Sequence, residues 1–127
     1  MTRSFNSPKA PPPIGGYSQA IEIQNPGRIL FISGQVPETA TGIIPDTFSE
    51  QCQLVWANLD AQLTAAGMGF DNLVKITTYL SDRKYGAENG TIRREILRNR
   101  MPALTVIIAD IFETEWLLEI EAIAVEE

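Results

Sequence analysis

The chain has no histidine. The commonest general base and the commonest metal ligand among side chains are therefore both missing. One cysteine, Cys52, is present in 127 residues, so no internal disulfide and no cysteine-built zinc site can form. A lone thiol fits a reducing, intracellular compartment. Basic residues are outnumbered, with 10 Lys and Arg against 16 Asp and Glu for a net charge of −6 and a pI near 4.6. Phosphate binding needs a basic face, so nucleic acid is not expected as a partner. No apolar stretch reaches the roughly 20 residues of a membrane span, and no membrane association is expected. The start, Met-Thr-Arg-Ser-Phe-Asn-Ser-Pro, carries no apolar signal core, which points to the cytoplasm. There is no P-loop, no GxGxxG and no zinc spacing, so no nucleotide or metal cofactor is expected.

What is present suits one α+β domain over residues 1–127. At this length roughly two-thirds of the unfolded chain's surface can be buried, enough for one core and not two. Pro8, Pro11, Pro12 and Pro13 make an extended arm that leads into Ile14-Gly15-Gly16-Tyr17. Ser18 to Ile23 alternates as a strand, and Asn25-Pro26-Gly27 turns the chain. Ile29-Leu30-Phe31-Ile32 is too continuous for a half-exposed strand and is expected to be covered on both faces. With a second turn at Gly42, these segments predict an N-terminal β-meander. Asp46 or Thr47 caps a helix in which Phe48, Cys52, Val55, Trp56, Leu59 and Leu63 recur at helical spacing, and Gly67 closes it. Asn72 to Leu80 is a strand, and a second helix carries Ile92, Ile96 and Leu97 inward. Ala103 to Ala109 and Leu117 to Val125 are the last strands. The order predicts a sheet with both helices on one face. The other face still carries apolar side chains, which implies self-association.

Several residues have two readings. Period-two alternation places Glu119 and Glu121 on one face of the last strand, with Ile123 and Val125 beyond them. They either point to solvent or pair with Lys75 or an arginine, or one of them lines a cleft and handles protons. Ser33-Gly34-Gln35 either ends a strand in an ordinary turn or lets the backbone approach a ligand. Asn89 opens the second helix as a cap or touches a ligand. Tyr17 is a lid aromatic or core. Cys52 sits on the apolar stripe and reads as core rather than nucleophile. Arg93, Arg94, Arg98 and Arg100 form a solvated helix face or an anion-binding patch.

Four segments in register resemble the YjgF/RidA (Rid, L-PSP) family. They are Pro-x-x-Ile-Gly-Gly-Tyr-Ser-Gln over 11–19, Phe-Ile-Ser-Gly-Gln-Val-Pro over 31–37, Leu-Val-Lys-Ile-Thr-Thr-Tyr-Leu over 73–80 and Glu-Ile-Glu-Ala-Ile-Ala-Val over 119–125. The resemblance implies a chorismate-mutase-like α+β fold and a homotrimer, with a central β-barrel, helices outside and clefts between subunits. It implies hydrolytic deamination of enamines and imines such as 2-aminoacrylate, without metal or organic cofactor. By position, Tyr17 would wall the cleft, Ser33 and Gly34 would bound it and Asn89 would close it. Glu119 would orient or activate water as the catalytic residue. In Pro102-Ala103-Leu104-Thr105-Val106, Leu104 stands where the resemblance implies a carboxylate-gripping arginine, with Thr105 beside it in the substrate-binding segment. This marks a divergent member whose substrate is other than the simple 2-aminoacrylate type. A non-catalytic trimer that binds a small molecule or a protein is the competing reading. Ribonuclease activity, reported for some relatives, sits poorly with the acidic pI and the missing histidine.

Overall fold

The computed structural model describes residues 2–127. A strand β1 (Thr2–Phe5) pairs antiparallel with β2 (Ala20–Ile23) in a small two-stranded sheet. The main sheet has four strands in the order β3-β6-β4-β5: β3 (Arg28–Gln35), β4 (Leu73–Leu80), β5 (Ala103–Ile108) and β6 (Leu118–Glu126). β4 and β5 run parallel while β6 is antiparallel to both its neighbours, so the sheet is mixed. Helices α1 (Phe48–Ala65) and α2 (Gly86–Leu97) supply the second layer.

The periodicities act as they should. Phe48, Cys52, Val55, Trp56, Leu59 and Leu63 are all buried in α1, and Ile92 and Leu97 are buried in α2, with Ile96 packed at the core's margin. They meet Ile32, Ile76, Leu80, Leu118, Ile120, Ala122 and Ala124 from one face of the sheet, so both helices cover the same side. Thr47 caps α1 by accepting from Glu50 N at 3.2 Å. Gly67, at φ +72°, ends it, with its N–H on Thr64 O and the next N–H on Leu63 O. Burial pushes the Cys52 thiol up to about 12, which makes it a core residue without nucleophilic character. Among the described residues no helix is long and apolar enough to cross a membrane.

Three expectations change. β2 does not extend a meander into β3: its partner is β1, from the segment before the proline arm, and residues 36–47 form no strand. Local pattern identifies strands, while pairing is set by distant residues that pattern does not reveal. β3 is not covered on both faces, because Ile29 is 49% and Phe31 75% exposed. Its apolar run faces helices on one side, and on the other no element among the described residues covers Ile29 and Phe31. Asn89 does not cap α2; Tyr85 holds that position and Asn89 lies within the first turn.

One buried polar side chain ties the layers together. Gln51 of α1 is 2% exposed. Its Nε2 donates to the carbonyls of Pro45 and Glu115, both at 2.9 Å, and its Oε1 accepts from Leu117 N at 2.8 Å. The helix start is thereby fixed to the entry of β6. Gln51→Met conserves volume but leaves those backbone groups unpaired. It should cost on the order of 2–4 kcal/mol in denaturant unfolding.

Candidate active site

β6 alternates as its sequence demands. Leu118, Ile120, Ala122 and Ala124 face the helices, while Glu119 and Glu121 project, half-buried, from the opposite face. Neither carboxylate is paired with Lys75 or an arginine among the described residues. Tyr79 Oη donates to Glu121 Oε1 at 2.5 Å, and Lys75 Nζ donates instead to Thr105 Oγ1 at 2.8 Å. The carboxylate partner raises the Tyr79 pKa, because ionising the phenol would lose that hydrogen bond.

Glu119 lies against the backbone of Gly34. A Cβ built on Gly34 would sit 1.8 Å from Glu119 Oε2 and 2.7 Å from its Cδ, so only glycine leaves room for this carboxyl group. The two residues share a cavity of about 330 Å³ with Tyr79, Phe112 and Glu121. Desolvation, with a smaller contribution from the nearby Glu121, raises the Glu119 pKa above the ordinary carboxyl value. A carboxyl group is able to accept a proton and return it, and this one is held where burial favours its neutral form.

A second group assembles on the helix side of the sheet, at its β5 edge. Tyr17, Asn89 and Leu104 line a cavity of about 350 Å³. Tyr17 follows Gly15 and Gly16, and its Oη accepts from Ile14 N at 3.4 Å, which folds the arm over the cavity. Asn89 is 2% exposed and its Oδ1 has no partner. Val106 and the guanidinium-bearing Arg93 and Arg94 complete the walls.

The residues singled out by sequence therefore divide within one chain. Tyr17, Asn89 and Leu104 come together. Gly34 and Glu119 come together on the other face. Ser33 joins neither group: it opens into a cavity of about 400 Å³ with Lys75 and Glu121. Thr105 points to that same uncovered face through its contact with Lys75. The arginines are not a uniformly solvated helix face, because Arg93 is buried while Arg94 and Arg98 are exposed. Sequence carried the signal for this: Asn89 and Arg93 are four apart on α2, as are Gly90 and Arg94, so both pairs share a face. Tyr79 was also legible, two and four residues from Thr77 and Lys75 on one side of β4.

The family model for endoribonuclease L-PSP matches residues 7–126. The chain belongs to the YjgF/RidA (Rid, L-PSP) family. A RutC family protein of Pyrococcus horikoshii is 38% identical, covering 93% of this chain and 93% of its own length. A mouse protein named 2-iminobutanoate/2-iminopropanoate deaminase is 33% identical over 99% of this chain and 93% of its own. Among solved structures, a Rid family protein, YyfB from Yersinia pestis, superposes with a TM-score of 0.86 at 30% identity, covering 98% of both chains. The mixed sheet with two helices is thus a Rid architecture.

Two outcomes follow from the Glu119 environment. Gly34→Ala should preserve the fold, because a flexible carboxyl end can yield, but it should expel Glu119 toward water. An NMR titration would then show the Glu119 pKa falling toward the ordinary carboxyl value. Separately, folded Glu119 binds its proton more tightly than unfolded Glu119. Its contribution to stability is therefore full below the ordinary carboxyl pKa and is lost as pH rises through the raised one. Glu119→Gln removes that loss, so the variant's Tm should gain on the wild type's as pH rises above the ordinary carboxyl value.

Proposed function

We propose that this Rid protein is a hydrolase that deaminates an enamine- or imine-type small metabolite, at clefts between the subunits of a homotrimer. The observation that carries the reading is the Glu119 carboxyl held over Gly34, poised by desolvation and placed on the uncovered face of the sheet. Within one chain, Glu119 and the Tyr17–Asn89–Leu104 cavity occupy opposite faces. A neighbouring copy, packed on the exposed Ile29 and Phe31, supplies the geometry in which one subunit's Glu119 meets the next subunit's cavity. Its setting is the cytoplasm, in keeping with a single, buried thiol and no disulfide.

The chemistry needs little from the protein. An enamine tautomerises to its imine, and water adds to the C=N carbon. Glu119 takes the proton from that water and returns it to nitrogen, and the carbinolamine expels ammonia to leave the carbonyl product. No step calls for histidine. Gly34 bounds the site on the Glu119 side, with Ser33 next to it in the cavity shared with Glu121, while Tyr17 and Asn89 enclose the substrate from the other. Leu104, with Val106 two residues on along β5, sets the character of the remaining wall, while Thr105 faces the other side of the sheet. That wall is apolar, which favours a substrate bulkier than 2-aminoacrylate.

Leu104 and Val106 also support a second reading, a trimer that binds a small apolar metabolite or a protein without turning it over. A coupled assay separates the two. An L-amino-acid oxidase generates imino acids with side chains of increasing length, and carbonyl product release is followed with and without the protein. The wild type should accelerate release for longer aliphatic side chains, and Glu119→Gln should lower that rate by roughly a hundredfold or more. No acceleration from any imine would favour the binding reading. Sedimentation equilibrium should give about three times 14.0 kDa; a monomer at micromolar concentration would remove the inter-subunit cleft.

A further inference from the structure

The cavity beneath Tyr17 contains a charge that no carboxylate among the described residues balances. Arg93 is 7% exposed, and its Nη2 donates to Gly15 O at 2.8 Å, yet its Nε has no partner. A buried guanidinium N–H without an acceptor is costly, and proteins rarely leave one so. Arg94 approaches from the same helix: a Cβ built on Gly15 would lie 3.4 Å from Arg94 Nη1 and 3.9 Å from Arg93 Nη2. Gly90, one turn before Arg94, has a bare backbone where a Cβ would come within 3.0 Å of Arg94 Nη1. The two guanidinium groups therefore converge on one stretch of backbone.

Among the described residues, no Asp or Glu lines this cavity. The ion pairs formed by arginine elsewhere are Arg28 with Glu126 and Arg100 with Asp71. Burial first, and the neighbouring Arg94 second, lower the Arg93 pKa, so the site as it stands disfavours the charge it carries. An oxyanion would relieve both effects and give Arg93 Nε its acceptor. Opposite the arginines, Leu104 and Val106 of β5 offer an apolar wall. Asn89 Oδ1, buried and unpaired, is an acceptor waiting for a ligand N–H or O–H.

We propose that Arg93 and Arg94 hold the acidic head of a small organic anion in this cavity, whose aliphatic body lies on Leu104 and Val106 and whose N–H or O–H group meets Asn89. The proposal rests on the reading of this cavity as the substrate pocket, and it names the substrate class: anionic imines or enamines with an extended side chain. It also changes the meaning of Leu104. The cation that the resemblance places on strand β5 is supplied here from helix α2, and the vacated strand position is left for the side chain.

Calorimetry at low salt with the wild-type protein tests this. Hexanoate and hexyl phosphate present the same chain with different acidic heads, and whichever binds more tightly identifies the head. Hexylamine presents the chain with the opposite charge, and inorganic phosphate presents a head without a chain. At least one of the two hexyl anions should bind, and both hexylamine and inorganic phosphate should be weaker than it by roughly tenfold or more. 2-Hydroxyhexanoate should bind more tightly than hexanoate, and Asn89→Ala should abolish that difference.

Arg94→Gln, at an exposed position that folding does not depend on, should weaken the anion by roughly tenfold. Arg93→Lys keeps the charge but removes Nε and should weaken it as well. Unchanged affinity in Arg94→Gln, equal binding of hexylamine, or no binding of either hexyl anion would overturn the proposal. Glu119→Gln distinguishes this failure from that of the deaminase reading: it should retain anion binding while losing turnover. A protein that binds hexanoate through Arg94 yet hydrolyses no imine would keep the anion site and refute only the enzyme.

Discussion

β6 runs between β3 and β4, and the rest of the molecule is organised by the difference between its two faces. On one face, Leu118, Ile120, Ala122 and Ala124 are apolar and decrease in size along the strand, which lets α1 settle closely onto the sheet. On the other, Glu119 and Glu121 stand half-buried. The helices can cover only one side, because a two-helix layer is all that a chain of this length supplies. Carboxylates consequently lie on a sheet face that carries Phe31 and Ile29 as well, an unusual neighbourhood for charge. Their perturbed surroundings follow from this one-sided coverage and need no special local device beyond the missing side chain of Gly34.

The same constraint separates the two groups of candidate residues. β5 is an edge strand of the main sheet and β3 is the other edge. Side chains at Leu104 and Val106 alternate toward the helix side, where α2 and the arm from Ile14 to Tyr17 enclose them. Glu119 alternates the other way, toward Gly34. No rotamer change can bring groups on opposite faces of a sheet into contact, so chemistry that uses both requires more than one copy of the chain.

α2 shows how position in the fold changes the meaning of a residue type. Four arginines within eight positions suggest a solvated basic face, and Arg100 with its Asp71 partner behaves that way. Arg93 does not, because the arm passes over it and takes a hydrogen bond at the Gly15 carbonyl. The arm is proline-rich and comes from 78 residues away in sequence, so it costs little entropy to order and can serve as a lid over the helix. Covering the guanidinium takes a solubilising charge out of water.

Sequence by itself determined the element types, their faces and most of the core. The α1 stripe, the glutamate face of β6, the Thr47 cap and the Gly67 stop were all legible, because each depends on spacing within a few residues. The family was legible too, since its motifs are short, local and in register. Only the tertiary structure decided that β2 pairs with β1 rather than β3, that Asn89 lies inside its helix, and that Tyr17, Asn89 and Leu104 share one cavity with Arg93 while Glu119 faces away. Periodicity states which way a side chain points relative to its own backbone. It does not state what stands opposite, and pairing, burial of charge and shared cavities are all properties of what stands opposite.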